Sequence, residues 1–229
     1  MSAATSNAAS SVVEDYVKVI YSHTEWQSEP ITSSVLAAKL GLAASSVTEM
    51  VKKLAASGLV THVPYGAISL TKAGRTLALR MLRRHRLIET WLVESFDYRW
   101  DEVHEDAEVL EHAISDRLLD AIDSSLGEPT RDPHGDPIPR ADGSFIQPDA
   151  VLLQQVPVPS RCTVVRISDR DPALLQHLER HGFALDAVLE VTERKPFGGA
   201  LVVRTSTAVV DLGDDATRAI WVSAEGRTA

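Results

Sequence analysis

The chain has 229 residues, 44% hydrophobic and 24% charged, with 23 Lys and Arg against 32 Asp and Glu and a formal net charge of −9. Taken whole, that balance argues against a simple nucleic-acid binder or a basic membrane-surface protein, because neutralising phosphates needs basic residues. One cysteine excludes an intramolecular disulfide framework and fits a reducing cytoplasm, and no run of 18 apolar residues offers a membrane span.

In chain order, residues 1–11 lack the basic start and apolar block of a signal peptide and read as a disordered tail. Val12 to Ser22 has apolar residues near helical spacing. Beyond Pro30, Thr32-Ser33-Ser34 starts a helix that ends at Gly41, and Ser45-Ser46 starts another that Gly58 stops. Two β-rich runs, Leu59 to Val63 and Ala67 to Leu70, flank Pro64-Tyr65-Gly66 as a hairpin. A long helix is expected over roughly Ala73 to Phe96 and another from about Trp100 to Leu126. Residues 127–150 hold five prolines and read as a linker or ordered loop. Beyond Val151, one short helix from Asp171-Pro172 to His181 lies among five short strand candidates, a small β-barrel domain, so the fold class is α+β. The domains are then 12–75, 76–150 and 151–229. Cys162, at the entry to a strand, reads as a small buried hydrophobe.

Helix, short glycine turn, helix and hairpin is the order of a winged helix-turn-helix, whose second helix the major groove can admit. Its outward residues would be Ala44, Ser45, Ser46, Thr48, Glu49, Lys52 and Lys53, with Lys39 and Lys72 near the backbone and Tyr65 at the wing tip. Charge supports a division of labour. Residues 1–90 carry 10 basic and 6 acidic side chains, a net of +4, and residues 91–229 carry 13 and 26, a net of −13.

The acidic half contains a metal-like pattern. His85 and Glu89 stand four apart on the long helix, and His104, Glu108, Glu111 and His112 form one stripe of the next helix. Glu14-Asp15 adds carboxylates near the N-terminus. Imidazole and carboxylate without thiolate make a hard donor set, which favours Mn²⁺ or Fe²⁺ over a thiolate-stabilised Zn²⁺ site.

These residues resemble the metal-dependent repressors typified by the diphtheria toxin repressor and the manganese transport regulators. The resemblance rests on Glu14-Asp15-Tyr16 through Ile20-Tyr21, Ser45-Ser46-Val47-Thr48, Leu70 to Arg75, Arg84 to Glu89, Val103 to Glu108, Glu111 to Ser115 and the proline loop Asp132 to Pro139. It implies a C-terminal SH3-like, FeoA-type domain and two metal sites per subunit. Asp15, Glu108, Glu111 and His112 match the activating site. His85, Glu89 and His104 match the ancillary site, which Asp169 or Asp171 would complete. Iron-responsive members carry Cys at position 108 and Met at the position of Asp15, so the acids found here point to the manganese-responsive branch. The short two-domain manganese regulators carry Glu where Lys18 stands, and a cation cannot ligate Mn²⁺, so a closely spaced binuclear cluster is not expected.

The function so implied is a cytoplasmic, homodimeric repressor that pairs through residues 90–126. When loaded with Mn²⁺ it binds palindromic operator DNA of metal-uptake genes, with Co²⁺ or Zn²⁺ as substitutes in vitro. It uses no membrane and no small organic substrate. The alternatives are an Fe²⁺-responsive repressor of the same family, a di-metal carboxylate enzyme, or a metal-independent winged-helix regulator.

Overall fold

The structure is a computed structural model and describes residues 2–63, 66–197 and 199–224. The chain folds as two compact units, residues 1–84 with 139–144, and residues 85–138 with 145–229.

The first unit opens with helix α1, Ser2–Glu25. It runs through the segment expected to be a disordered tail. The reason is compositional: alanine is the best helix former, and no Gly or Pro occurs before Pro30. Helix α2, Ser33–Leu40, is capped by the Thr32 hydroxyl, which accepts from the Val35 amide. Gly41 then adopts φ 64°, a left-handed turn that favours glycine. After that three-residue turn comes α3, Ala44–Ala56, with a bend of 113° between the helices, in the range of helix-turn-helix pairs. Strands β1, Val60–His62, and β2, Ile68–Leu70, pair antiparallel, and the Ile68 amide donates to the Ile31 carbonyl.

One apolar core unites these pieces: Tyr16 and Ile20 of α1, Leu36 of α2, Val47, Val51 and Leu54 of α3, Val60 and Ile68 of the hairpin. Helix α4, Lys72–Phe96, starts from a tight junction. The Thr71 hydroxyl accepts from the Gly74 amide and donates to the Gly58 carbonyl. A Cβ on Gly74 would lie 2.0 Å from the Leu59 carbonyl oxygen, so only glycine fits there.

In the second unit the helix expected over Trp100 to Leu126 is two helices, α5, Val103–Leu110, and α6, Asp116–Ser125. Ser115 breaks the run: its side chain accepts from the Leu118 amide and caps α6. Glu111 and His112 therefore sit in the turn between helices, not on a continued helical stripe. Leu119 and Ile122 are buried, whereas Leu110 and Leu118 are exposed.

The C-terminal part is a six-stranded antiparallel sheet in the order β3-β8-β4-β5-β6-β7. The strands are β3 Val151–Leu152, β4 Ser160–Ile167, β5 Val188–Arg194, β6 Leu201–Arg204, β7 Val209–Leu212 and β8 Ile220–Ala224. Helix α7, Pro172–Arg180, and the short α8, Asp214–Arg218, join them. Register shifts between Val164 and Arg166 and between Val191 and Glu193 mark bulges, which bend a sheet. Its core holds Val164, Leu175, Leu178, Phe183, Leu189, Val203 and Ile220, and Cys162 is fully buried there, as its position at the strand entry suggests. No single helix among the described residues is long and apolar enough to cross a membrane.

Candidate metal centre

The second unit collects its imidazoles and carboxylates into one cluster. The C-terminal half of α4 supplies His85 and Glu89 one turn apart, with Ile88 and Leu92 packed on Val103 and Ala107 of α5. That packing places His104 and Glu108 over the α4 pair. His85 lies between two carboxylates: Nδ1 is 2.6 Å from Glu111 Oε2 and Nε2 is 2.9 Å from Glu89 Oε1. His104 Nδ1 is 3.3 Å from Glu89 Oε1, 3.2 Å from His85 Nε2 and 3.5 Å from Asp169 Oδ2. Glu108 Oε1 lies 3.4 Å from His104 Nε2 and 3.8 Å from His85 Nδ1. His112 Nε2 is 3.5 Å from Glu111 Oε1.

His134 joins this cluster, although sequence reasoning gave it no role. It sits in the loop between α6 and β3. The Asp132 side chain accepts from the His134 and Asp136 amides, and the Ile167 amide of β4 donates to the His134 carbonyl. Gly135, at φ 95°, lets the loop press on β4, since a Cβ there would fall 2.1 Å from the Val165 carbonyl oxygen. The His134 ring stacks on Trp100 and its Nε2 donates to the Trp100 carbonyl at 2.7 Å. That bond fixes the tautomer and leaves Nδ1 facing Glu89 Oε2 at 3.9 Å. The sequence signal was present as a histidine inside an Asp-Pro-His-Gly-Asp turn, but nothing in the spacing showed what it would face.

Two groups of donors result. One ligand atom each from His85, His104 and Glu108 lie within 4.8 Å of one another, and so do those from Glu89, His134 and Asp169. Asp169 thus sits in the cluster. Asp171 is exposed and its carboxylate caps α7, accepting from the Ala173 and Leu174 amides. Asp15 is half-buried on α1, in the first unit.

Burial grades across the cluster. Glu111 is 0% exposed, Glu89 1% and His134 1%, whereas the His104 side chain is 47% exposed. The deep groups form a floor and His104, Glu108 and Asp169 a half-open rim. Burying a carboxylate costs several kcal/mol unless a positive partner accompanies it. Burial alone would raise the Glu89 carboxyl, but the charge of His85, hydrogen bonds from His104 and His85, and the charge of His134 leave it well below the usual carboxylate range. For His134, burial opposes charging, yet the carboxylates of Glu89, Asp132 and Asp169 and the Trp100 carbonyl raise its pKa. In both cases positive charge is drawn onto imidazoles to hold buried carboxylates. A divalent cation meets the same need more fully, and the nitrogen and oxygen donors suit a hard ion. The residues present fit a divalent metal.

Behind the cluster lies a buried ionic support. Arg166 of β4 donates to both Asp136 oxygens at 2.8 Å, and Arg86 of α4 donates to the Pro137 carbonyl at 2.7 Å and lies 3.6 Å from Asp132. Burial and the neighbouring Asp136 carboxylate push Asp132 up to about 7.

On α3, Ala44, Ser45, Ser46, Glu49, Lys52 and Lys53 are exposed, as is Lys39 at the end of α2. Thr48 is half-buried, its hydroxyl donating to the Ala44 carbonyl at 2.8 Å. Lys72, at the start of α4, is exposed, and Tyr65 lies outside the described residues.

Comparison with known proteins agrees with this layout. Residues 9–68 match the iron dependent repressor N-terminal DNA binding domain, residues 71–140 the iron dependent repressor metal binding and dimerisation domain, and residues 151–224 the FeoA domain. The iron-dependent repressor IdeR of Mycobacterium tuberculosis is 28% identical over 221 residues, covering 91% of this chain and 95% of that protein. A manganese-dependent transcriptional repressor solved in complex with manganese is 48% identical, covers 93% of this chain and 99% of its own, and superposes with a TM-score of 0.89. The manganese regulator SloR is 33% identical, with 93% and 98% covered and a TM-score of 0.79.

Proposed function

The chain belongs to the iron-dependent repressor family of metal-dependent transcriptional regulators, and from that membership we propose that it is a manganese-activated, homodimeric repressor of palindromic operators, acting in the cytoplasm on metal-uptake genes. The observation that carries the choice of metal is the donor set. His85, His104, His134, Glu89, Glu108, Glu111 and Asp169 bring only nitrogen and oxygen, and the single cysteine is buried in the sheet core. Oxygen-rich sites suit Mn²⁺.

The ligand assignment has two parts. Glu89, His134 and Asp169, with His85 and His104 beside them, would hold the ancillary ion. Asp15, Glu108, Glu111 and His112, grouped by the family resemblance, would hold the activating ion. Bound manganese supplies positive charge. The chain's own residues do the rest. Glu111 and Glu89 hold His85 and His104 in place, Trp100 sets the His134 tautomer, and the Asp132 turn aims the His134 ring. An ion that takes Asp15 of α1 as a ligand would link the position of the reading unit, not its folding, to metal loading. A metal preferring that arrangement shifts the population toward the DNA-competent state. For the dimer, Phe96, Val109, Leu110 and Leu118 in residues 90–126 expose apolar surface, with Val109 71% exposed, a pattern expected of an association face.

The test is calorimetric titration of the apo chain with Mn²⁺, Fe²⁺, Co²⁺ and Zn²⁺ at buffered free-metal concentrations, followed by operator binding with each ion. Two sites per subunit, and operator binding that Mn²⁺ activates within its bound range, are expected. Activation by Fe²⁺ alone would move the assignment to the iron-responsive branch. Absence of Mn²⁺ binding would overturn the proposal.

A further inference from the structure

Glu49 is out of place by charge. Between Glu29 and Glu89 the sequence contains nine Lys and Arg and a single acid, Glu49. That acid stands on the outward face of α3, opposite the buried Val47, Val51 and Leu54, its side chain 66% exposed. A carboxylate at this position is repelled by phosphates. Its partner on the protein is Lys52, 2.8 Å away at i, i+3, and an exposed pair of this kind stabilises a helix little. Stability therefore does not account for it.

We propose that Glu49 is a specificity-determining residue, its carboxylate accepting the exocyclic amino N–H of a cytosine in the major groove. The proposal rests on the reading of α3 as the DNA-reading helix. An ionised carboxylate only accepts hydrogen bonds. In the major groove cytosine offers an N4 donor, adenine sets its donor beside the N7 acceptor, and guanine offers acceptors that repel a carboxylate. The neighbours discriminate less. Ser45 and Ser46 both donate and accept, and the Thr48 hydroxyl is turned back onto the Ala44 carbonyl. Lys52 hydrogen-bonds Glu49 and lowers its carboxyl below the ordinary value, which keeps it an acceptor. The cationic side chain also offsets repulsion from the phosphates.

The test is selection from randomised duplexes by the full chain at saturating Mn²⁺, for the wild type, Glu49→Gln and Glu49→Ala. Circular dichroism and metal stoichiometry check that each variant folds. The wild type is expected to enrich a two-fold symmetric motif with cytosine favoured about tenfold or more at one position per half-site. Glu49→Gln should move that position toward adenine, which pairs with an amide. Glu49→Ala should lose the preference there and keep the rest of the motif. If both variants enrich the wild-type motif unchanged, Glu49 does not read sequence and the proposal is overturned. If the wild type itself enriches no motif, the reading of α3 falls, and the proposal falls with it.

Discussion

The two units bury different charges: among the described residues the first buries only cations, Lys18, Arg83 and Arg84, and the second buries carboxylates as well. In the first, Glu49 is exposed on α3 and the core of Tyr16, Leu36, Val51 and Leu54 is apolar. In the second, Glu89, Glu111, Asp132, Asp136, Arg86 and Arg166 are buried in ionic contact beside ordinary apolar clusters. An apolar core holds its shape whatever the solution contains. A core that buries carboxylates is conditional, because it depends on protons or cations to balance them. The contrast separates a unit built to present a fixed surface from one built to respond to an ion.

The contrast can be broken at several points. The largest effect is expected from Arg166→Met, which leaves Asp136 buried without its main partner. Breaking such a pair costs about 3–5 kcal/mol, read as a lower denaturation midpoint of the second unit. A loss under about 1 kcal/mol would show that the ionic core is incidental. Glu111→Gln keeps the shape and removes the charge facing His85, and should weaken manganese binding at the proposed activating site about a hundredfold by calorimetry. Unchanged affinity would remove Glu111 from the ligand set.

A smaller effect follows from protons. The carboxylates around His134 raise its pKa, so its ring stays charged to a higher pH than an ordinary histidine, and a metal must displace that proton. Manganese affinity should therefore rise with pH by up to about tenfold per unit for each proton released. A flat profile between about pH 6 and 8 would contradict imidazole ligation. The smallest change is expected on the reading unit. Lys53→Ala should weaken operator and non-operator DNA alike, only a few-fold, and lower the salt slope by about one. A loss confined to the operator would mean that Lys53 touches bases.

The contrast also explains what the sequence made legible. The first unit was read almost whole, because caps, a glycine turn and apolar periodicity are local signals. Thr32, Gly41 and Val47-Val51-Leu54 each announce their role within a few residues. The strands of the C-terminal sheet were found the same way, apart from the two-residue β3. The break between α5 and α6 was missed because Ser115 competes with a run of otherwise helical residues. Histidine and glutamate types marked the metal cluster, but its membership depends on contacts far apart in sequence. His134 meets Glu89 and Asp169 only because Gly135 lets its loop press on β4. Arg166 and Asp136 are 30 residues apart, and no spacing rule joins them.

A net charge of −9 first argued against DNA. Resolved by region, it describes a basic reading unit and an acidic second unit whose proposed ligands account for part of the excess. The most direct test is the affinity of the full chain for its operator at fixed salt, measured across buffered free Mn²⁺. Affinity is expected to climb about a hundredfold or more from apo to loaded protein, a coupling of roughly 3 kcal/mol, and to stay at the apo level in Glu111→Gln. Equal affinity with and without manganese would contradict the account.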